Sequence, residues 1–204
     1  FARTPFGYPE DIRYARDVCG MLGLDLRVVD VDLRDDPDVM SNGPDRCYYC
    51  KRRIFGAIAE AAETDGLKVV VDGTNASDDV GDRPGYRALR ELGVQSPLRM
   101  CGITKDDVRR MSREAGLPTW DRPSNSCLAT RMVTGFPIDL DVLWKAHQAE
   151  ETLRDIGYSD HRVRTDGRTA TVVLRKDQMP TDGSERKRIT DIVSGFMGEA
   201  EIDE

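Results

Sequence analysis

The sequence has no apolar run approaching the ~18 residues needed to cross a bilayer as a helix, so it does not read as an integral membrane protein. Its first residues, Phe1-Ala2-Arg3-Thr4-Pro5, show no charged stretch followed by an apolar one, and no signal peptide is expected. Positive charge is in deficit: 30 Lys and Arg against 37 Asp and Glu leave a net charge of −7. Broad nucleic-acid binding rests on phosphate neutralisation and is not expected of such a chain, although a local basic pocket is compatible with it. Histidine occurs only twice, as His147 and His161, without metal-ligand spacing, and both read as surface or capping residues. A second Cys-x-x-Cys pair is missing, which excludes a four-cysteine zinc site. The five cysteines are an odd number in a chain that is not small, so a disulfide framework is not expected and a reducing cytoplasm is. Repeats and low-complexity tracts are also lacking.

What is present is an alternation of helix and strand patterns. Ile12, Ala15, Val18, Cys19 and Leu22 fall on one stripe of a predicted helix over 9–22, with Gly23 to end it. LRVVDVDL (26–33) reads as a central strand and LKVVV (67–71) as a short apolar one. A second helix is predicted over 47–64, with Ile54, Phe55, Ile58, Ala61 and Ala62 on its buried face. Shorter helices follow over 86–92 and 105–115, the latter opened by a capping-box-like pairing of Thr104 with Asp107. Residues 117–138 are proline-punctuated and read as a long functional loop. Beyond them come a helix over 139–156, a hairpin over 162–175 turning at Asp166-Gly167, and a last helix after Ser184. The alternation to about residue 138 implies a parallel α/β sheet, and the remainder a small α+β unit.

Four segments carry chemistry. The loop Asp72-Gly73-Thr74-Asn75 leaves the end of the 67–71 strand where open parallel sheets bind ligands. Gly73 permits close backbone approach, and Thr74 and Asn75 offer donors to a phosphate; the same residues also suit an ordinary Asx-type turn. Downstream, Asp78, Asp79 and Asp82 suit either water-mediated Mg²⁺ binding or plain solvation. Cys47-Tyr48-Tyr49-Cys50, beside Lys51, Arg52 and Arg53, suits metal or redox chemistry. A third thiolate would complete three-cysteine ligation of an iron–sulfur cluster with one open iron; two small buried residues are the plain alternative. Cys127 stands in the proline-bounded PSNSCLATR loop (123–131), four residues before Arg131, which favours its thiolate. It is a candidate nucleophile, ligand or sulfur carrier. Arg162 and Arg164, two apart on a predicted strand, project to one face and fit a phosphate or carboxylate, or a solvated edge. Glu150 lies on the preceding helix; Cys19 reads as core, and Cys101 receives no role.

Read in order, DRCYYCK (45–51), DGTNASDD (72–79), GDRPGYRAL (81–89), SPL (96–98) and GLPTWDRPSNSCLATR (116–131) resemble the LarE family. These are ATP-dependent sulfur transferases of nickel-pincer cofactor synthesis in the PP-loop ATP pyrophosphatase superfamily. The resemblance implies a parallel-sheet PP-loop α/β layer over 1–138 and a small α+β substrate-binding domain over 139–204. It implies adenylation of a carboxylate of pyridinium-3,5-biscarboxylic acid mononucleotide with ATP and Mg²⁺, then displacement of AMP by sulfur to leave a thiocarboxylate. Carried over by position, Cys127 is the sulfur donor, and Thr4, Gly73, Thr74 and Asn75 meet the nucleotide. Arg131, Glu150, Arg162 and Arg164 line the mononucleotide pocket. Cys47, Cys50 and Cys127 together match the branch that holds a [4Fe–4S] cluster with an extra sulfide, whereas in the sacrificial branch the donor cysteine becomes dehydroalanine. A small-molecule substrate, a homo-oligomer and a cytoplasmic location are implied, with no nucleic acid and no membrane as partners.

The pattern departs from the family in one respect. The SGGxDS phosphate loop of the superfamily is not in the sequence. Arg3-Thr4-Pro5 resembles the family just after its second strand, so the sequence is expected to begin about one strand–helix unit into the family pattern and to hold ATP weakly. Two rival readings are a tRNA thiolase of the same superfamily, which also pairs a Cys-x-x-Cys with a third cysteine, and a non-catalytic metal- or nucleotide-binding module.

Overall fold

A computed structural model describes residues 1–81, 83–122 and 126–203. The chain divides into two compact units, Phe1–Met40 with Pro44–Ser124, and Ser41–Gly43 with Asn125–Glu204. Both mix helices with small sheets, so the fold is mixed α/β. Among the described residues no helix is long and apolar enough to cross a membrane.

The first unit contains β1 (Ala2–Arg3), α1 (Asp11–Leu22), β2 (Val29–Asp30), α2 (Pro37–Met40), α3 (Arg46–Thr64), α4 (Pro84–Glu91), α5 (Pro97–Met100) and α6 (Lys105–Glu114). β1 and β2 pair in parallel, Ala2 opposite Val29 and Arg3 opposite Asp30, with α1 in the crossover that parallel strands require. Gly23 ends α1 at φ 64°, a conformation that a Cβ would strain. α6 opens as its sequence indicates: the Thr104 hydroxyl accepts the Asp107 N–H, and the Asp107 carboxylate accepts the Thr104 N–H.

Two expectations fail here. The strand over 26–33 shrinks to Val29–Asp30, and the apolar run 67–71 makes a single parallel bridge, Val71 to Gln95. An apolar run becomes a strand only where neighbours complete its ladder, and among the described residues Val71 has only that one. Leu67, Val69 and Val71 stay more than half exposed. No residue of α1 is fully buried. The buried apolar side chains of this unit are Phe6, Tyr8, Val31, Leu33 and Val39, with Ala88 and Leu89 of α4, a helix that packs on α3.

The second unit contains α7 (Leu140–Asp155), β3 (Arg162–Thr165), β4 (Thr169–Val173), α8 (Gly183–Met197) and β5 (Glu199–Ile202). The sheet order is β3-β4-β5. β3 and β4 form the expected antiparallel hairpin, with Gly167 at φ 92° in the turn. β4 and β5 run parallel, joined by α8. β5 escaped the sequence reading because EAEI carries one strong apolar residue. Asp139 caps α7 through the N–H groups of Asp141 and Val142, and Asp182 caps α8 through those of Ser184 and Glu185. Ala146, Ala149 and Leu153 of α7, Ile189 and Val193 of α8, and the sheet residues Val163, Ala170, Val172 and Ile202 make one buried core.

A single 3-10 turn, Leu128–Arg131, leads into this core, and Met132 then bridges Thr165 in parallel beside β3. Asn42 pins the segment. It is fully buried in a left-handed conformation (φ 55°), and its Nδ2 donates to the carbonyls of Val133 (2.9 Å) and Phe136 (2.8 Å). In the sequence, Asn42-Gly43 signals only a turn.

Candidate functional site

Cys127 is the first residue to place. Its side chain is exposed and it stands immediately before the 3-10 turn, at φ −56° and ψ 150°. Three sequence neighbours hold it. The Thr130 hydroxyl donates to the Cys127 carbonyl at 2.8 Å and lies 3.0 Å from the Ser126 hydroxyl. Arg131 Nη1 donates to the Ser126 hydroxyl at 2.8 Å and to Thr130 Oγ1 at 3.0 Å. Arg131 is itself buried, 1% exposed, and is locked to the equally buried Glu150 of α7. The pairing is bidentate, Nε to Oε1 at 2.7 Å and Nη2 to Oε2 at 2.9 Å. Glu150 Oε1 also accepts the N–H of Val163 at 2.8 Å, a β3 donor. One carboxylate therefore ties α7 to β3 and, through Arg131, to the loop that presents the thiol. Pro123, Ser124 and Asn125 of that loop lie outside the described residues.

Arg162 and Arg164 share the face of β3 opposite Val163 and Thr165, as the strand period dictates. Arg162 is half-buried and donates to the His161 carbonyl at 2.7 Å. Arg164 is exposed. Both histidines are buried, a correction to the surface or capping role expected of them. His161 shows why: its Nε2 lies 2.8 Å from the Glu150 carbonyl, so its ring closes the α7–β3 junction. Burial pushes the His161 pKa below its ordinary value, against the smaller opposing pull of Glu150. The sign of the consequence is fixed. The unfolded chain takes up a proton near pH 6.5, the folded chain at lower pH, so stability falls as pH drops from about 6.5 towards the folded pKa. Urea midpoints measured between pH 7.5 and 5 should fall in the parent and fall less in His161→Gln; parallel curves would contradict this.

In the first unit the loop after Val71 closes on itself. Asp72 accepts the Thr74 N–H and hydroxyl and the Ser96 hydroxyl. Asn75 is buried, with its Oδ1 on the Ser77 N–H in an Asx-type turn. Asp78 accepts the Asn75 N–H and Asp79 the Gly81 N–H, while Asp82 lies outside the described residues. The turn alternative therefore describes how Thr74 and Asn75 hold the loop in shape. Gly73 keeps open space where a Cβ would stand. Thr4 follows the carboxyl end of β1, where its hydroxyl accepts the Phe6 N–H. Gly73 and Thr74 line a cavity of about 620 Å³ with Cys47, Lys51, Phe55 and Arg83. Cys47 is exposed and Cys50 half-buried in the first turn of α3.

The [4Fe–4S] expectation needs three gathered thiolates. Cys47 and Cys50 belong to the first unit and Cys127 to the second. Among the described residues no group of three or more His, Cys, Asp or Glu side chains is placed to hold a metal ion. A cluster is not shown among the described residues, and the transfer chemistry is derived from Cys127 itself.

No protein-family model matches the chain. It is 31% identical over 177 residues to the uncharacterized protein MJ0830 of Methanocaldococcus jannaschii, covering 87% of this chain and 68% of that one. It is 28% identical over 165 residues to the pyridinium-3,5-bisthiocarboxylic acid mononucleotide synthase of Lactiplantibacillus plantarum, covering 81% and 60%. The chain belongs to the LarE family. A third relative, the uncharacterized protein slr1717 of Synechocystis sp., is 33% identical over 178 residues, covering 87% and 66%. The chain thus spans about two thirds of the length of these relatives or less.

Proposed function

We propose that the protein is an ATP-dependent sulfur transferase that converts a carboxylate of pyridinium-3,5-biscarboxylic acid mononucleotide to a thiocarboxylate for the nickel-pincer cofactor. The observation that carries the reading is an exposed thiol, Cys127, on a loop braced from beneath by a buried ion pair. The synthase of Lactiplantibacillus plantarum supports the choice of substrate by its name. In this reading the first unit is the PP-loop layer, with Thr4, Gly73, Thr74 and Asn75 around ATP and Mg²⁺. Arg162 and Arg164, on one face of β3, bind the mononucleotide phosphate or its second carboxylate.

A substrate carboxylate oxygen attacks the α-phosphorus of ATP, the bond to pyrophosphate breaks, and pyrophosphate leaves. The Cys127 thiolate then attacks the activated acyl carbon; a C–S bond forms, the C–O bond to AMP breaks, and AMP leaves with the electron pair. Loss of the Cys127 Hα to a solvent base forms the Cα=Cβ double bond and breaks Cβ–S. The thiocarboxylate departs and dehydroalanine remains. Arg131 and Glu150 take no part in bond making; they hold the loop, so the thiol approaches in one orientation.

Intact-mass analysis after one turnover with ATP, Mg²⁺ and the mononucleotide tests this reading. The expected result is loss of one H₂S, localised to Cys127. Turnover without mass loss, in protein carrying about four irons after anaerobic reconstitution, would replace Cys127 as donor by a cluster-bound sulfide.

A further inference from the structure

The sheet of the second unit is covered on one face. Val163, Ala170, Val172 and Ile202 belong to the core shared with α7 and α8, so the alternate residues of the same strands stand on the other face. There the register sets Arg164 of β3 opposite Thr171 of β4, and Thr171 opposite Glu201 of β5. Arg164 and Glu201 are exposed and Thr171 is half-buried. The row runs from cation through hydroxyl to carboxylate, and its outer backbones lie about 10 Å apart, two strand spacings. The Thr171 hydroxyl donates weakly to Glu201 Oε1, at 3.4 Å. Among the described residues Arg164 has no hydrogen-bond or ion-pair partner, and no cation pairs with Glu201.

A cation and a carboxylate in one row, neither with a charged partner, suit a ligand with an anion at one end and hydroxyl donors at the other. A ribose 5-phosphate is such a ligand. We infer that Glu201, oriented by Thr171, binds the ribose hydroxyls of the mononucleotide whose phosphate lies on Arg162 and Arg164, and so selects a ribonucleotide. The inference rests on the proposed function, which puts that phosphate on β3. An ionised carboxylate only accepts hydrogen bonds and has room for two neighbouring hydroxyls, the use made of acidic residues against ribose in dinucleotide-binding folds. The covalent geometry of the sugar gives the arrangement a consequence. In a β-ribonucleotide the ring and the phosphate arm leave the sugar on the side away from its two hydroxyls. Hydroxyls held at β5 therefore turn the ring back towards β3, the strand to which Glu150 and Arg131 tie the Cys127 loop.

NMR titration of the parent and of Glu201→Gln with ribose 5-phosphate, 2-deoxyribose 5-phosphate and nicotinic acid mononucleotide tests it. Glu201→Gln should weaken ribose 5-phosphate and nicotinic acid mononucleotide alike, by about five- to tenfold, for charge-assisted hydrogen bonds lost on an open face. The deoxy sugar lacks one of the hydroxyls, so it should bind the parent more weakly and be indifferent to Glu201→Gln. Glu199→Gln removes an equal charge two residues along β5, beside Thr169, and should change none of the three. Loss confined to nicotinic acid mononucleotide would assign Glu201 to the pyridinium charge and overturn the inference. Equal loss for the deoxy sugar, equal loss in Glu199→Gln, or no binding of ribose 5-phosphate by the parent would overturn it too. Arg164→Ala separates the inference from the reading beneath it. Weaker sugar phosphates in Arg164→Ala with unchanged affinities in Glu201→Gln would keep the phosphate on β3 and remove the ribose site. The reverse would keep the ribose site and take the phosphate off Arg164.

Discussion

Glu150→Ala should lower folding stability by about 3–5 kcal/mol, the range for leaving one member of a buried ion pair uncompensated. Arg131 and Glu150 are 2% and 1% exposed at their side chains, so the guanidinium left behind is shut off from water unless the loop moves. The Val163 N–H would lose its acceptor as well. The double variant Arg131→Met/Glu150→Leu separates energy from position. It removes both charges at similar volume and should recover most of the stability, because well-packed apolar replacements of buried pairs are often neutral or stabilising. It should not recover sulfur transfer, because Ser126 and Thr130, on either side of Cys127, then lose the guanidinium that anchors them to the core. Urea unfolding and single-turnover transfer measured on the same samples check both halves. A loss below about 1 kcal/mol in Glu150→Ala would mean the pair is solvated in solution.

The second large effect is expected at the thiol. Cys127→Ser should abolish thiocarboxylate formation, a loss of at least about a thousandfold, because the hydroxyl has no sulfur to give and is a far weaker nucleophile near neutral pH. Nothing in the adenylation step touches this side chain, so ATP–pyrophosphate exchange dependent on the mononucleotide should persist within a few-fold. The split between the two half-reactions distinguishes a lost donor from a damaged fold. Cys47→Ser should leave a single turnover intact if Cys127 gives its own sulfur. Loss of transfer in Cys47→Ser together with loss of bound iron would make the cysteines a cluster set and move the donor to sulfide. Cys127→Ser that still yields thiocarboxylate would remove the residue from the mechanism.

Family membership was legible in linear motifs because local chemistry is written locally. CYYCK (47–51), DGTN (72–75) and the residues around Cys127 are contiguous, and the synthase relative agrees with the family they indicated. The second unit was readable for a related reason. Its helices have a clean apolar stripe and capping aspartates, Asp139 and Asp182, and its hairpin a turn glycine, so local preference and burial agree. The strands of the first unit are shorter than their sequence pattern suggests because apolar runs such as 67–71 state a preference for burial and not which neighbour supplies it.

Burial of charge is decided only in three dimensions. In the sequence Arg131 and Glu150 are two polar residues 19 positions apart, indistinguishable from ligand-binding groups. Folding places α7 over β3 and makes them partners to each other at 2.7 Å. His161 and Asn42 follow the same rule, since a polar residue becomes structural only when packing removes its water and offers a backbone carbonyl instead. Lys51 is the converse case. In the sequence it is one of three adjacent cations beside the Cys-x-x-Cys, and in the fold it meets Phe55 and the bare backbone of Gly85. The sequence determines which groups exist and which helix or strand they ride on; water exclusion, which sets whether a charge is a partner, a prop or a ligand site, depends on the elements that fold against it.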